Sequence, residues 1–359
     1  MLCTATTVKD SLENVRFFVT ANLASGVDHM FVFLDAPQAP GQQKVGAFLD
    51  DTSQVTCIRT TRKDWWQEDR PANLNVRQRI NANWVRSLLA PLGWAEWLFH
   101  IDSDEVALLD RAALAAVPPG TDAVWLAPSE AVSQPHPTQR PTRFKRLLDE
   151  DDLNLLHVLG VLDEPSNQSY FHGHVLGKSG VRPASGLALT LHDAISDDGK
   201  RQERHQDEVL RLLHYDAVSG AEFIRKWTAL ATAGPARYRP SRAPMAKALK
   251  TLAAKDVPDD VREKYLWRIY DLTTRDDVEL LGELGLLDDI DPAQGGEAPD
   301  ELPADDAHQL AQRVEELRRE PKRQFFVADE RSDRNLSSEG RRREGREDAG
   351  GLRGILRRS

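Results

Sequence analysis

The N-terminal part of the chain alternates between two hydrophobic periods. Leu2 to Val8 is rich in Thr and Val and predicts a short strand, ended by Lys9-Asp10-Ser11. Ser11 suits a helix N-cap. Leu12, Val15, Phe18, Val19, Asn22 and Leu23 then recur at helical spacing to about Ser25, with Gly26 beyond. His29 to Leu34 is an unbroken apolar run, the pattern of a strand covered on both faces, and Asp35 stands at its exit. A helix over Gln42–Leu49, a strand over Gln54–Ile58 and a helix over about Leu74–Leu92 follow, the last stopped by Gly93. The next strand, Glu96–Ile101, runs directly into Asp102-Ser103-Asp104-Glu105. Strands alternating with helices predict an α/β fold with a mostly parallel sheet flanked by helices. Ligands of such sheets sit at the carboxyl ends of strands, where Asp35 and Asp102 to Glu105 fall.

The pattern changes near Asp122. Ala123–Ala127 predicts a strand, followed by a loop-rich stretch to Pro141; Gly173–Val181 and Gly186–His192 look like a pair of strands. Val209–Tyr215 fits a strand or a helix, Ala217–Ala233 a helix, and residues 245–288 two or three more. Residues 292–308 are rich in Pro, Gly, Ala and acids, and Glu315 to Glu320 suits an exposed helix. Beyond Arg331 the aliphatic residues are Leu336, Leu352, Ile355 and Leu356, too little apolar surface to offset the entropy of ordering, so residues 292–359 are expected to form a disordered charged tail. Its final Leu352 to Arg358 can touch an acidic membrane or a protein partner, although a solvated tail is the simpler reading.

Composition narrows the function classes. Among 359 residues, 47 Lys and Arg face 57 Asp and Glu, a net charge of −10 that argues against nucleic acid as a partner. No apolar run of about 18 residues is present, so no transmembrane segment is expected. Met1 to Thr6 lacks a basic region leading into an apolar stretch, which points to a cytoplasmic protein. Cys3 and Cys57, each within an expected strand, fit two buried thiols in a reducing compartment.

The acids after the apolar strand carry the most specific chemistry. If the chain stays extended, Asp102 and Asp104 project to one side and can hold Mg²⁺ or Mn²⁺ with hard oxygen ligands, the remaining positions going to water and a diphosphate. Asp-x-Asp alone is a weak string in a chain with 57 acids and more often marks a solvated turn; its place after a buried strand gives it weight.

The stretch Trp97-Leu98-Phe99-His100-Ile101-Asp102-Ser103-Asp104-Glu105 resembles the signature of family 2-like bacterial glycosyltransferases, which the family 92-type enzymes share. Val8-Lys9-Asp10, Gly26-Val27-Asp28-His29 and Arg77-Gln78-Arg79 with Asn81 match in order. So do Gly177-Lys178 through Arg182-Pro183, His192, His214-Tyr215, Ser219, Phe223, Lys226 and Trp227. The resemblance covers about residues 2–235. It implies the GT-A (Rossmann-like) fold, a nucleotide-diphosphate-sugar donor (a UDP- or GDP-sugar), a saccharide or glycoconjugate acceptor and a divalent ion, Mn²⁺ or Mg²⁺. It divides the chain into a transferase domain over 1–240 (nucleotide-binding half 1–110, acceptor half 111–240), a helical extension over 241–291 and the tail. Val106 stands where the family has Phe, Ser11 where Glu is common, and Asp35-Ala36-Pro37-Gln38 departs from the family's loop.

On this reading the metal candidates are Asp102, Asp104, Glu105 and His192, although a lone histidine such as the last is more often a structural residue. Donor-binding candidates are Lys9, Asp10, Asp35, Gln78, Arg79, Lys178 and Arg182; Asp10 can equally cap a helix and Asp35 close a turn. An inverting reaction requires a carboxylate base, for which Glu130, Asp163, Glu164 and Asp193 are candidates. His172-Gly173-His174 resembles a metal pair but has no evident partner ligands and is set aside. Trp65 and Trp66 suit burial better than stacking on a sugar. The expected activity is metal-dependent glycosyl transfer; the competing reading is a non-catalytic nucleotide- or glycan-binding scaffold of the same fold. Phosphoryl or nucleotidyl transfer shares the acids, but the chain lacks a G-x-x-x-x-G-K-[ST] loop.

Overall fold

A computed structural model of the chain describes residues 1–232, 243–292 and 299–329. The N-terminal elements follow the expected alternation: β1 (Leu2–Val8), α1 (Leu12–Ala24), β2 (His29–Leu34), α2 (Gln42–Asp50), β3 (Val55–Arg59), α3 (Leu74–Leu89) and β4 (Trp97–His100). Ser11 caps α1, its hydroxyl accepting from the Asn14 amide at 3.2 Å. Strands β3, β2, β1 and β4 lie side by side and parallel.

Alternate residues of these strands feed opposite layers, as the period of two requires. Met30, Val32 and Leu34 pack with Val15, Phe18 and Val19 of α1 and Val45 and Leu49 of α2. Phe31 and Phe33 face Ile80, Trp84 and Leu88 of α3 together with Trp65 and Trp66. Those two tryptophans are 1% and 2% exposed, so burial is their role. Cys3 is buried, Cys57 half-buried, and both are free thiols; burial pushes each up to about 12.

The second half adds β5 (Glu105–Leu108), α4 (Arg111–Ala115), β6 (Ala123–Ala131), β7 (Arg143–Lys145), α5 (Glu150–Val158), α6 (Asn167–Tyr170), β8 (Lys178–Val181), β9 (Ala188–Leu189), β10 (Ala194–Ile195) and β11 (His205–His214). Then come α7 (Gly220–Thr232), α8 (Ala243–Ala253), α9 (Asp259–Thr273), α10 (Val278–Glu283), β12 (Leu287–Asp289) and α11 (Ala304–Arg318). Strand β8 inserts antiparallel between β4 and β6, and β11 lies parallel to β6 and antiparallel to β5. The parallel half therefore continues into a mixed half, giving an α/β sheet flanked by helices. The segments expected as a strand pair do not pair with each other: β8 joins the main sheet, while β9 pairs with β10. The ambiguous segment at Val209 is a strand.

Residues 299–329 differ from the expected tail. Leu310, Val314 and Leu317 recur along one face of α11 and pack with the α3 layer, and the Trp84 indole donates to the Leu317 carbonyl at 3.1 Å. Apolar residues at helical spacing, with Leu302, Phe325 and Phe326 on the same layer, give this charged segment a face to bury. The tail from residue 330, with the Leu352 to Arg358 motif, lies outside the described residues. Among the described residues no helix is long and apolar enough to cross a membrane.

Candidate metal centre

The buried strand β4 ends at His100, and the chain turns. The Glu105 amide donates to the Asp102 carbonyl at 3.1 Å, and the Asp102 amide donates back to Glu105 Oε2 at 2.6 Å. The acids are thus on a tight turn, not an extended segment, so Asp102 and Asp104 meet different partners. Asp102 accepts from Gln78 Nε2 of α3 and Lys178 Nζ of β8, each at 2.6 Å. Asp104 faces Lys226 Nζ of α7 at 3.3 Å and His214 Nε2 at 3.8 Å. Lys226 also pairs with Asp216. Glu105, fully buried, meets His174 Nε2 at 3.0 Å and Lys178 Nζ at 3.5 Å.

Topology assembles this cluster. Insertion of β8 beside β4 sets Lys178 beside the turn, because Leu98 pairs with Val181 and the antiparallel strand starts where β4 ends. Strand β11 pairs with β5, aligning His214 with Glu105. Three imidazoles converge: the rings of His174 and His214 stack with centroids 5.0 Å apart, and those of His174 and His192 lie 4.4 Å apart. Donor atoms of Glu105, His174 and His214 lie within 4.8 Å of one another, as do those of Asp104, His214 and Asp216.

The electrostatics fit a divalent cation. The carboxylates of Asp102, Asp104, Glu105 and Asp216 face the ammonium groups of Lys178 and Lys226 and the imidazolium of His214, which leaves an excess of one negative charge. For His214, burial works downward, but the bond and charge of Asp104, with Asp216 and Glu105, outweigh it and raise its pKa to about 9. For Asp102, burial works upward but is outweighed by Lys178, keeping the carboxyl below its usual range. For His192, burial, with Lys178, lowers the pKa to about 2, so its ring is neutral. His192 Nδ1 meets the Gly177 carbonyl at 3.0 Å, which fixes Nδ1 as the donor and leaves Nε2 as an acceptor. The buried Nδ1 atoms of His174 and His214 have no hydrogen-bond partner among the described residues. Imidazole nitrogens beside carboxylates are a donor set suited to a first-row divalent ion, which would displace the extra proton from His214.

The residues expected at the site divide into two groups. Asp102, Asp104, Glu105, Gln78, Lys178 and His192 come together. Lys9 is exposed; Asp10 Oδ1 accepts from the Ser11 amide and the Asn14 side chain at the start of α1 and lies 3.9 Å from Arg225, the neighbour of Lys226. Asp35 is bound by Arg77 through both oxygens at 2.7 Å and by Arg70 at 3.0 Å, which makes it a structural anion. Arg79 serves the C-terminal segment: it pairs with Asp329 at 3.3 Å, bonds the Val327 carbonyl and lies over the Phe326 ring. Arg182 lies at the opposite end of β4, over Trp97 and beside Glu96.

The four base candidates sit in different settings. Glu130 is 1% exposed and both its oxygens are engaged, by the amides of His172 and Gly173 and by Lys145, which removes it from an acceptor hydroxyl. Asp163 and Glu164 are exposed on the loop after α5. Asp193 is held by Arg201 at 2.8 Å and Arg204 at 3.6 Å. The sequence reading passed over His174, whose partners lie far away along the chain. The His-x-His spacing was its signal.

No family model and no curated protein matches the chain. Among solved structures it overlaps the WbbM bifunctional glycosyltransferase at 12% identity and a TM-score of 0.24, over 51% of this chain and 31% of that one. The LgtC galactosyltransferase with donor and acceptor sugar analogues overlaps at 13% identity and 0.25, over 74% and 100% of the two chains. A Thermus thermophilus protein described as a mannose-1-phosphate geranyltransferase overlaps at 11% and 0.25, over 78% and 70%. The chain spans less than a third of WbbM, and TM-scores this low carry no argument about identity. The functional case stands on the side chains gathered at the end of β4.

Proposed function

We propose that the chain is a metal-dependent glycosyltransferase that moves a sugar from a nucleotide-diphosphate donor to an acceptor hydroxyl. The observation that carries this reading is the acidic turn at the carboxyl end of a buried sheet strand, where donor atoms of Glu105, His174 and His214 lie within 4.8 Å of one another. Glu105, His174 and His214, with Asp104 beside them, would hold the cation. Their mixed oxygen and nitrogen donors favour Mn²⁺ over Mg²⁺. The ion, when bound, supplies Lewis-acid neutralisation of charge developing on a departing nucleoside diphosphate.

The chain's own residues supply the rest. Lys178 and Lys226 flank the turn and offset phosphate charge while holding Asp102 and Asp104 in place. Gln78 fixes the remaining oxygen of Asp102. His192, neutral and with Nδ1 already committed, offers one acceptor nitrogen at the rim of the cluster. Lys9 and Asp10 stand just beyond the carboxyl end of β1, next to β4, and on this reading would meet the nucleoside.

The direct test is release of nucleoside diphosphate from UDP- and GDP-sugars with and without Mn²⁺. Wild type is expected to show metal-dependent turnover with at least one donor, and Asp104→Ala to lose it while keeping its melting transition. Undiminished turnover in Asp104→Ala overturns the proposal.

A further inference from the structure

A second, largely buried charged cluster adjoins the loop that carries His174. Lys145 of β7 is fully buried, with Nζ 2.9 Å from Glu130 Oε1 of β6, 3.0 Å from Asp276 Oδ1 in the connection between α9 and α10, and 3.0 Å from the Tyr170 carbonyl. Asp276 Oδ1 also meets His172 Nε2 at 3.0 Å, and its Oδ2 accepts from the Ser133 amide at 2.7 Å. Glu130 accepts from the His172 amide at 2.6 Å and from the Gly173 amide.

Most of these bonds converge on the segment from Tyr170 to Gly173, immediately before His174. Glu130 is also the β6 residue aligned with His214 in the sheet, so one carboxylate adjoins the supports of both imidazoles. Gly173 fits because a side chain there has no room: a Cβ would meet the His214 ring on one side and Glu130 Oε2 at 2.7 Å on the other. Buried ion pairs of this kind are weak sources of stability compared with apolar packing, and their directional bonds define geometry instead.

We propose that Glu130, supported by Lys145 and Asp276, is a positioning residue for the candidate metal centre: it clamps the His172-Gly173-His174 backbone so that His174 faces Glu105 and His214. The proposal rests on the metal reading given above, and its test separates the two. The full-length protein is titrated with Mn²⁺ by calorimetry as wild type, Glu130→Gln, Asp276→Asn and His174→Ala, and each is melted without metal. His29→Gln, which alters the core far from the site, serves as a control for lowered stability.

Glu130→Gln and Asp276→Asn are expected to bind Mn²⁺ about 10–100-fold more weakly while keeping a cooperative melt, the usual effect of removing a partner that orients a ligand. Wild-type affinity in either folded variant overturns the clamp. Loss of the cooperative melt in both assigns the cluster to folding alone and also overturns it. A wild type that binds no Mn²⁺, or a His174→Ala protein that binds it undiminished, overturns the metal assignment itself.

Discussion

His174 Nε2 lies 3.0 Å from Glu105 Oε1, although 69 positions separate the two residues along the chain. That contact joins the acidic turn after β4 to a loop of the second half. It predicts that His174→Ala and His214→Ala each weaken Mn²⁺ binding by about tenfold or more, since each removes one nitrogen donor from a set of three. Calorimetric titration measures it, and wild-type affinity in both variants would leave the cation without these ligands.

Gly173 yields a steric prediction. Its φ is not in the left-handed region, so the constraint is space: a methyl group there collides with the His214 ring. Gly173→Ala should lower stability by about 1–3 kcal/mol, the usual cost of overpacking, and should weaken Mn²⁺ binding in the same variant. Thermal unfolding and titration of one preparation test both parts.

Arg77 and Asp35 form a forked ion pair at the exit of β2, with side chains 7% and 10% exposed. Removing Arg77 leaves Asp35 with Arg70 as its remaining cation, at 3.0 Å. Because Arg70 continues to pair with Asp35, Arg77→Met is expected to destabilise the fold by about 1–3 kcal/mol, measured by denaturant unfolding.

Much of this fold was legible in the sequence. The strand from His29 to Leu34, the Ser11 cap and the apolar run ending at Asp102 all follow from local pattern. Local pattern could not show that β8 inserts between β4 and β6, because a strand's partners depend on topology. His192 was therefore favoured over His174 and His214, and Arg182 was assigned to the site although the antiparallel register carries it to the far end of β4. Asp35 illustrates a second limit: an acid at a strand exit reads as a ligand-binding group until its arginine partners, 35 and 42 positions away, are in place. In α11 the acidic composition masked three apolar positions on one face.

His29 sets a pH dependence. Burial lowers its pKa from 6.5 to about 4, against the opposing charge of Asp28, and its Nε2 pairs with the Thr56 hydroxyl at 2.8 Å. Between these values the unfolded chain binds the extra proton, so this contribution is complete above pH 6.5 and is lost as the pH falls towards 4. It amounts to on the order of 3 kcal/mol. His29→Gln, which stays neutral throughout, should flatten the acid limb of the stability curve measured by urea unfolding across that window.

The central claim, a cation held at the end of β4 against a donor diphosphate, is tested most directly by melting the protein with UDP, GDP, CDP or ADP, each with and without Mn²⁺. At about 100 times its dissociation constant a ligand adds about 2.7 kcal/mol of stability, a readily measured shift. The account predicts a shift for at least one nucleotide that requires Mn²⁺ and disappears in Asp104→Ala. A nucleotide shift that is independent of metal and persists in Asp104→Ala, or no shift with any of the four, would contradict it.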